Sequence, residues 1–209
     1  MFPEALARRR LIFGVWRAVA ARYGFEEYDG PPLEATDLYV RKSGDEIVEQ
    51  LYRFTDRGGR DVALRPEMTP TLARMVAQRA AALRKPIRWF SIPQLFRYER
   101  QQRGRLREHF QLNMDIIGEA GPLADAEVIG AAIDILRGLG FGPGDVRARL
   151  SDRRVLAEVL TTDLGVRADE LVGVLAGLDK FERSPEATAE AVERALGGDA
   201  ARAQGVMAF

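Results

Sequence analysis

The chain has no cysteine and a single histidine, His109. The first absence removes any disulfide framework, thiolate zinc site or cysteine nucleophile. The second removes a multi-histidine metal centre, so any metal is expected to be a hard cation held by phosphate oxygens and carboxylates, Mg²⁺ above all. Lysine is scarce too, at positions 42, 85 and 180 only, so positive charge rests almost wholly on arginine. Net charge of one sign is missing: 31 basic residues face 31 acidic ones. A general nucleic-acid coat is thereby disfavoured, while a local basic site stays open. No apolar run reaches membrane-spanning length; residues 11–21 come nearest and are interrupted by Arg17. The N-terminus carries no signal-peptide apolar segment, so a cytosolic protein is expected. The 209 residues suffice for one core plus a small appendage.

What is there concentrates between Leu95 and Gly118. This stretch predicts two strands around an arginine-studded loop with a Gln-Gln-Arg-Gly-Arg turn. Arg97, Arg100, Arg103, Arg105 and Arg107 stand against Glu99 and Glu108, which gives the hairpin a charge of about +3. Clustered guanidinium groups suit a polyanion such as a nucleotide triphosphate or an RNA end. A merely solvated tip is the plain alternative.

Around it, Pro3 to Tyr23 predicts a helix whose apolar face is Leu11, Ile12, Val15, Trp16, Val19 and Tyr23, closed by Gly24. A strand is expected at Phe25 to Tyr28, before Gly30-Pro31-Pro32 breaks the ladder. Leu51–Phe54 and Asp61–Leu64 predict strands joined by Asp56-Arg57-Gly58-Gly59. Leu64-Arg65-Pro66-Glu67-Met68-Thr69-Pro70 leads into a helix reaching about Leu83, with Thr69 a candidate N-cap. One or two strands are expected within Pro86–Tyr98. On the returning strand Gln111 and Asp115, four apart, share a face. Pro122–Leu139 predicts a helix burying Ala124, Val128, Ile129, Ala132, Ile133, Ile135 and Leu136. Val146–Leu150 predicts a strand, and helices follow near 152–163, 167–179 and 185–197.

The order Phe-Arg-Tyr-Glu, basic loop, aromatic pair, Gln resembles motif 2 of the class II aminoacyl-tRNA synthetases, and within them the histidyl-tRNA synthetases. Leu-Arg-Pro-Glu-x-Thr resembles a second element of that family, and the helix, strand and proline at Pro31 resemble motif 1, its dimer-interface element. The resemblance implies an α+β fold: a class II synthetase-like, mainly antiparallel sheet flanked by helices, with a helical C-terminal segment. It implies a catalytic core at 1–150 and the start of the region between motifs 2 and 3 at 151–209. It implies that Arg97 holds the α-phosphate of ATP and the amino-acid carboxylate as the main catalytic cation. Glu99 would meet the adenine amino group, the two residues lying at i and i+2 of one strand. Arg105 would approach the outer phosphates, and His109 or Phe110 would stack on adenine. Glu67 would bind the substrate's α-ammonium with Thr69 assisting, Gln111 and Asp115 would read the imidazole, and Gln102 and Arg107 would touch the acceptor end of tRNA(His). Asp115 stands where many bacterial members carry Glu, and His109 where an aromatic usually stacks. Homodimerisation through the motif 1 region is implied, along with ATP and Mg²⁺; no metal-ligating residue is assigned.

The third class II motif, an Arg-Gly-Leu-Asp-Tyr-Tyr type element and an anticodon-binding domain do not occur in this sequence. The expectation is therefore an N-terminal part of a catalytic domain, slow at adenylate formation. Two other classes remain open: the synthetase-like regulatory subunit of ATP phosphoribosyltransferase, and a non-catalytic RNA-binding or dimerisation module built on the basic hairpin.

Overall fold

The computed structural model describes residues 1–41, 49–99, 104, 106–179, 181 and 184–208. It divides into two compact units, Met1–Ala148 and Arg149–Phe209.

In the first unit, helix α1 (Pro3–Arg22) ends at Tyr23, and Gly24 takes the left-handed φ of 73° that lets the chain reverse. Strand β1 (Glu26–Glu27) follows, shorter than expected because Asp29, Gly30 and the two prolines leave the ladder at once. It pairs in parallel with β5 (Ile87–Ser91), which pairs antiparallel with β8 (Asn113–Ile117). Helix α1 and a helix at Pro122–Gly138 cover one face of this sheet. Val19, Ala131 and Ile135 pack there with Val15, Trp16, Leu112 and Met114, and Ala20 and Phe25 pack with Phe90, Ile116 and Val128. The Tyr23 hydroxyl donates to Asp134 at 3.0 Å and ties the two helices together.

Two expected helix-face residues are exposed instead. Leu11 is 69% exposed; it sits at the rim of the Ile12–Val15–Trp16–Val19 stripe. Ala132 is exposed, and the covered stripe runs through Ala131 and Ile135, one residue to the side.

A second sheet runs β2 (Leu33–Ala35), β4 (Asp61–Leu64), β3 (Arg53–Thr55), antiparallel throughout. Its tight turn is held by Asp56, whose carboxylate accepts from Gly58 N, Arg60 N and Arg60 Nε at 2.7–3.0 Å. A short helix, α2 (Asp37–Val40), follows β2, and buried Tyr39, Leu51 and Ala63 pack together. Helix α3 (Thr69–Arg79) begins one residue earlier than expected. Met68 already has helical φ and ψ and is the N-cap residue, so Thr69 is the first helical residue and makes no capping bond. The helix at Pro122–Gly138 is α4.

The basic hairpin is not one uninterrupted pair of strands. Strand β6 (Gln94–Phe96) pairs with β7 (Glu108–Phe110), and Ile92-Pro93 and Gln111-Leu112 separate these from β5 and β8. Pro93 has no N–H to give to the ladder. The register nevertheless runs straight through. Ser91 faces Asn113, Gln94 faces Phe110 three residues further along each strand, and Gln111 N still donates to Pro93 O at 3.3 Å.

The second unit is helical: α5 (Arg153–Thr162), α6 (Ala168–Leu178), α7 (Pro185–Ala195) and α8 (Ala200–Ala208) around Leu160, Val166, Val174, Val192, Leu196, Ala203 and Val206. Helix α8 was not anticipated; its start is marked by Asp199, whose carboxylate caps Arg202 N at 3.0 Å. Residues 146–150 form no strand and have no ladder partner among the described residues. Among the described residues no helix is long and apolar enough to cross a membrane.

Candidate active site on one face of a hairpin

The unbroken register decides which side chains share a face. Phe90, Leu112, Met114 and Ile116 point at α1 and α4. Strand residues alternate, and ladder partners point the same way. Trp89, Ser91, Leu95 and their partners Asp115, Asn113 and His109 therefore lie on the opposite face. Gln111, level with Pro93, belongs to the same series, so the shared face expected for Gln111 and Asp115 holds across the break. Arg97 continues it, because its N–H donates to Arg107 O at 2.9 Å.

Arg97 is anchored from a second direction. Its Nε donates to the Pro66 carbonyl at 3.0 Å, one residue before Glu67. That bond uses one of the five guanidinium donors and fixes the plane of the rest. It also joins the Leu-Arg-Pro-Glu segment to the hairpin, so two motifs far apart in sequence meet at one point.

The pairing of Arg97 with Glu99 is reached differently than expected. Strand β6 stops at Phe96, and Tyr98 N is drawn aside to Gln50 O at 2.8 Å. Glu99 N then bonds Arg97 O at 2.9 Å, closing a three-residue turn. Strand alternation therefore does not set the orientation of Glu99. Both charges still reach His109. Burial lowers its pKa, the Arg97 charge lowers it further, and Glu99 opposes them. His109 is accordingly a neutral ring near pH 7, suited to stacking.

Phe110 lies on the other face. Its ring stands 5.3 Å from Phe13 of α1, and the Arg9 guanidinium lies 4.6 Å over it. Of the two aromatic candidates, His109 is the one that shares a face with Arg97, Gln111 and Asp115. Arg107 rests over the Tyr98 ring at 4.3 Å, with its Nε donating to Glu99 O at 3.4 Å. Gln102 and Arg105 lie outside the described residues. Glu67 is half-buried at the mouth of α3, and Thr69 is exposed beside it.

Residues that sequence patterns did not single out complete the site's frame. Arg65, 4% exposed, donates from Nη1 to Asp29 Oδ1 and Gly30 O, both at 2.7 Å, and from Nε to Gln94 O at 3.0 Å. It fastens the Gly30-Pro31-Pro32 bend to the hairpin. Gly30 itself leaves no room for a side chain, since a Cβ there would lie 2.5 Å from Thr71 Cγ2. Two tyrosine hydroxyls are buried within electrostatic reach of Asp115 and Glu67. Burial pushes Tyr28 up to about 12, with the Asp115 charge adding to the rise. Tyr39 is also pushed up to about 12, again by burial, and Glu34 and Glu67 contribute. The alternation placing Ser91 and Asn113 in line with Gln111 and Asp115 was present in the sequence; the burial of their polar atoms was not.

A family model described as Histidyl-tRNA synthetase matches residues 1–197. Histidine--tRNA ligase of Opitutus terrae is 50% identical over 182 residues, which are 87% of this chain and 41% of that protein. The chain thus spans about two-fifths of the length of the curated relatives it matches. A solved histidine--tRNA ligase subunit from Alicyclobacillus acidocaldarius superposes with a TM-score of 0.60 at 31% identity, covering 85% of this chain and 50% of that one. A Bacillus halodurans structure described as an ATP phosphoribosyltransferase regulatory subunit/histidyl-tRNA synthetase gives a TM-score of 0.59 over 99% of this chain and 59% of that one. At 19% identity it speaks for the α+β fold alone. With a family-model match over residues 1–197 and 50% identity to a curated relative over 87% of its length, the chain belongs to the histidyl-tRNA synthetase family.

Proposed function

We propose that this chain carries the amino-acid and nucleotide pocket of an enzyme that activates histidine with ATP and transfers it to tRNA(His). The observation that supports this reading best is the convergence of two separate motifs. Arg97, His109, Gln111 and Asp115 share one hairpin face, and Arg97 is bonded to Pro66 beside Glu67. A planar cation, an ammonium-binding carboxylate and an imidazole-reading pair are what a histidine and a nucleoside triphosphate together require.

In this reading Glu67, with Thr69, takes the α-ammonium of histidine, and Gln111 and Asp115 take the ring. Arg97 grips the substrate carboxylate and the α-phosphate, which brings the attacking oxygen into line. A carboxylate oxygen attacks the α-phosphorus, the bond to the β-phosphate oxygen breaks, and pyrophosphate leaves. The negative charge that builds on the α-phosphoryl oxygens is met by the preorganised Arg97 guanidinium. His109, with Glu99, receives adenine. The ribose hydroxyl at the tRNA 3′ end then attacks the carbonyl of histidyl-adenylate, and AMP departs. Gln102 and Arg107 are assigned to the acceptor end and Arg105 to the outer phosphates on the strength of the motif. Among the described residues no three His, Cys, Asp or Glu side chains converge on one point. These residues build no cage for Mg²⁺, so no step is assigned to it; Mg²⁺ would arrive on the ATP phosphates, whose charge it screens. Residues 1–150 act as the catalytic core, 151–209 open the region before the third motif, and a second copy docks at the Pro31 region.

The test is histidine-dependent ATP–pyrophosphate exchange with other amino acids as controls. Exchange specific to histidine, reduced by about 10²–10³-fold in Arg97→Ala, is the expected result. No exchange, together with salt-sensitive RNA binding that needs neither histidine nor ATP, would replace the enzyme with an RNA-binding module.

A further inference from the structure

Between the two residues assigned to the imidazole lies a row of polar atoms that the reaction as described does not use. Ser91 stands opposite Asn113 in the β5–β8 ladder. The parallel register sets Glu26 against Trp89 and Glu27 against Phe90, and Tyr28 N donates to Phe90 O at 2.9 Å. Tyr28 thus comes level with Ser91, one step beyond β1. Tyr28, Ser91 and Asn113 form one row across three adjacent chains, on the face away from α1 and α4. The neighbouring row on one side contains Trp89 and Asp115; on the other side lies Gln111.

The Tyr28 hydroxyl, Ser91 Oγ and Asn113 Oδ1 are all buried, and none meets full hydrogen-bond geometry with a partner among the described residues, although Ser91 is near enough to the Tyr28 hydroxyl to lower its pKa. Ser91 is wholly buried. Buried polar atoms left unpaired weaken a fold, and a cluster of them in one row needs a reason. The Tyr28 ring is held 5.5 Å from Trp89, the ladder partner of Asp115. The hydroxyl stays protonated at neutral pH because burial raises it to about 12, so it has a proton to donate towards a nearby carboxylate.

We infer that Tyr28, backed by Ser91 and Asn113, is a positioning residue that orients the Asp115 carboxylate towards the ring of bound histidine. The inference rests on the reading of Asp115 as a ring acceptor. A donor behind a carboxylate fixes which oxygen faces the ligand and keeps the group ionised. The row then acts on histidine affinity and leaves the nucleotide end alone.

The experiment is calorimetric titration of the whole chain with histidine and, separately, with ATP. The variants are Tyr28→Phe, Asp115→Asn and the double variant. Tyr28→Phe keeps the ring on Trp89 and is expected to weaken histidine binding about tenfold, with ATP binding unchanged. The double variant is expected to bind histidine no more weakly than Asp115→Asn alone, because Tyr28 acts through Asp115. Full histidine affinity in Tyr28→Phe beside a loss in Asp115→Asn would overturn the inference and leave the pocket reading standing. So would additive losses in the double variant, or equal losses for histidine and ATP. Unchanged affinity in both Asp115→Asn and Glu67→Ala would overturn the pocket reading, and this inference with it. Should Tyr28→Phe fail to fold, Ser91→Ala answers the same question, with a smaller loss for histidine and none for ATP.

Discussion

The two units treat buried polar groups in opposite ways. In the helical unit, Glu170 is 5% exposed, and its carboxylate is surrounded by donors. Arg202 supplies Nη1 at 3.0 Å and Nη2 at 2.8 Å, and Arg167 supplies its backbone N–H at 3.0 Å and a guanidinium contact at 2.9 Å. Among the described residues of this unit, Thr188 Oγ1 is buried without a partner. In the first unit the unpaired buried atoms among the described residues include Tyr28, Ser91 and Asn113 on the hairpin face, with Thr36, Tyr39 and Arg74 Nε elsewhere. A satisfied network serves the fold, and unpaired buried atoms call for a reason outside it, proposed above to be an incoming ligand. Arg65 stands between the two cases: a satisfied buried charge whose task is to hold the site's frame.

That contrast can be broken most sharply at Arg65. Arg65→Ala leaves the Gly30 and Gln94 carbonyls without their donor and opens a cavity, while Asp29, 70% exposed, turns to water; it is expected to destabilise the first unit by about 2–4 kcal/mol, read as a shift in urea midpoint. A change under 1 kcal/mol would show that the frame does not depend on it. Next in size is Glu67→Gln. Removing the ammonium's counter-charge is expected to weaken histidine binding by about 1.5–3 kcal/mol while leaving the melting temperature in place. If stability falls and affinity does not, Glu67 belongs to the fold.

Phe110→Leu separates the two aromatic candidates. Packed on Phe13 and Arg9, Phe110 is expected to give up about 1 kcal/mol of stability with ATP binding intact. His109→Ala should do the reverse. The converse pattern would move the adenine platform to Phe110.

The smallest effect concerns pH. The Arg202 hydrogen bonds hold Glu170 well below the usual carboxylate range, at about 2. A depressed folded pKa gives stability that is present above the unfolded value near 4.5 and is lost as pH falls towards 2. Thermal melts of the helical unit's signal should drop across that window, and Glu170→Gln should flatten part of the drop. A Glu170→Gln variant with the same pH profile as the parent would remove Glu170 from the cause.

Much of this was legible in the sequence because it obeys short-range rules. Gly24 after a periodic helix and the Asp56–Gly59 turn each state their own structure. The motif order between Phe96 and Gln111, together with Leu-Arg-Pro-Glu-x-Thr, supplied the residues of the proposed site. What the sequence hid depends on where the chain is pulled by distant partners. Strand β6 stops because Tyr98 N goes to Gln50, an attachment some fifty positions away. Thr69 looked like a cap, yet Met68 had already entered the helical region. The strand expected at 146–150 finds no edge to pair with among the described residues. Tyr28 looks like an ordinary residue in any local window, and Arg65 stood in a motif without a role of its own; only burial and long-range contacts show what they hold.

The most direct measurement is calorimetric binding of histidine to the intact chain, run beside Glu67→Ala and Asp115→Asn. Saturable binding of histidine in preference to other amino acids, weakened at least tenfold in each variant, is the result predicted for a hairpin face that forms the substrate pocket. Histidine binding that neither variant disturbs would contradict it, and so would no binding at all.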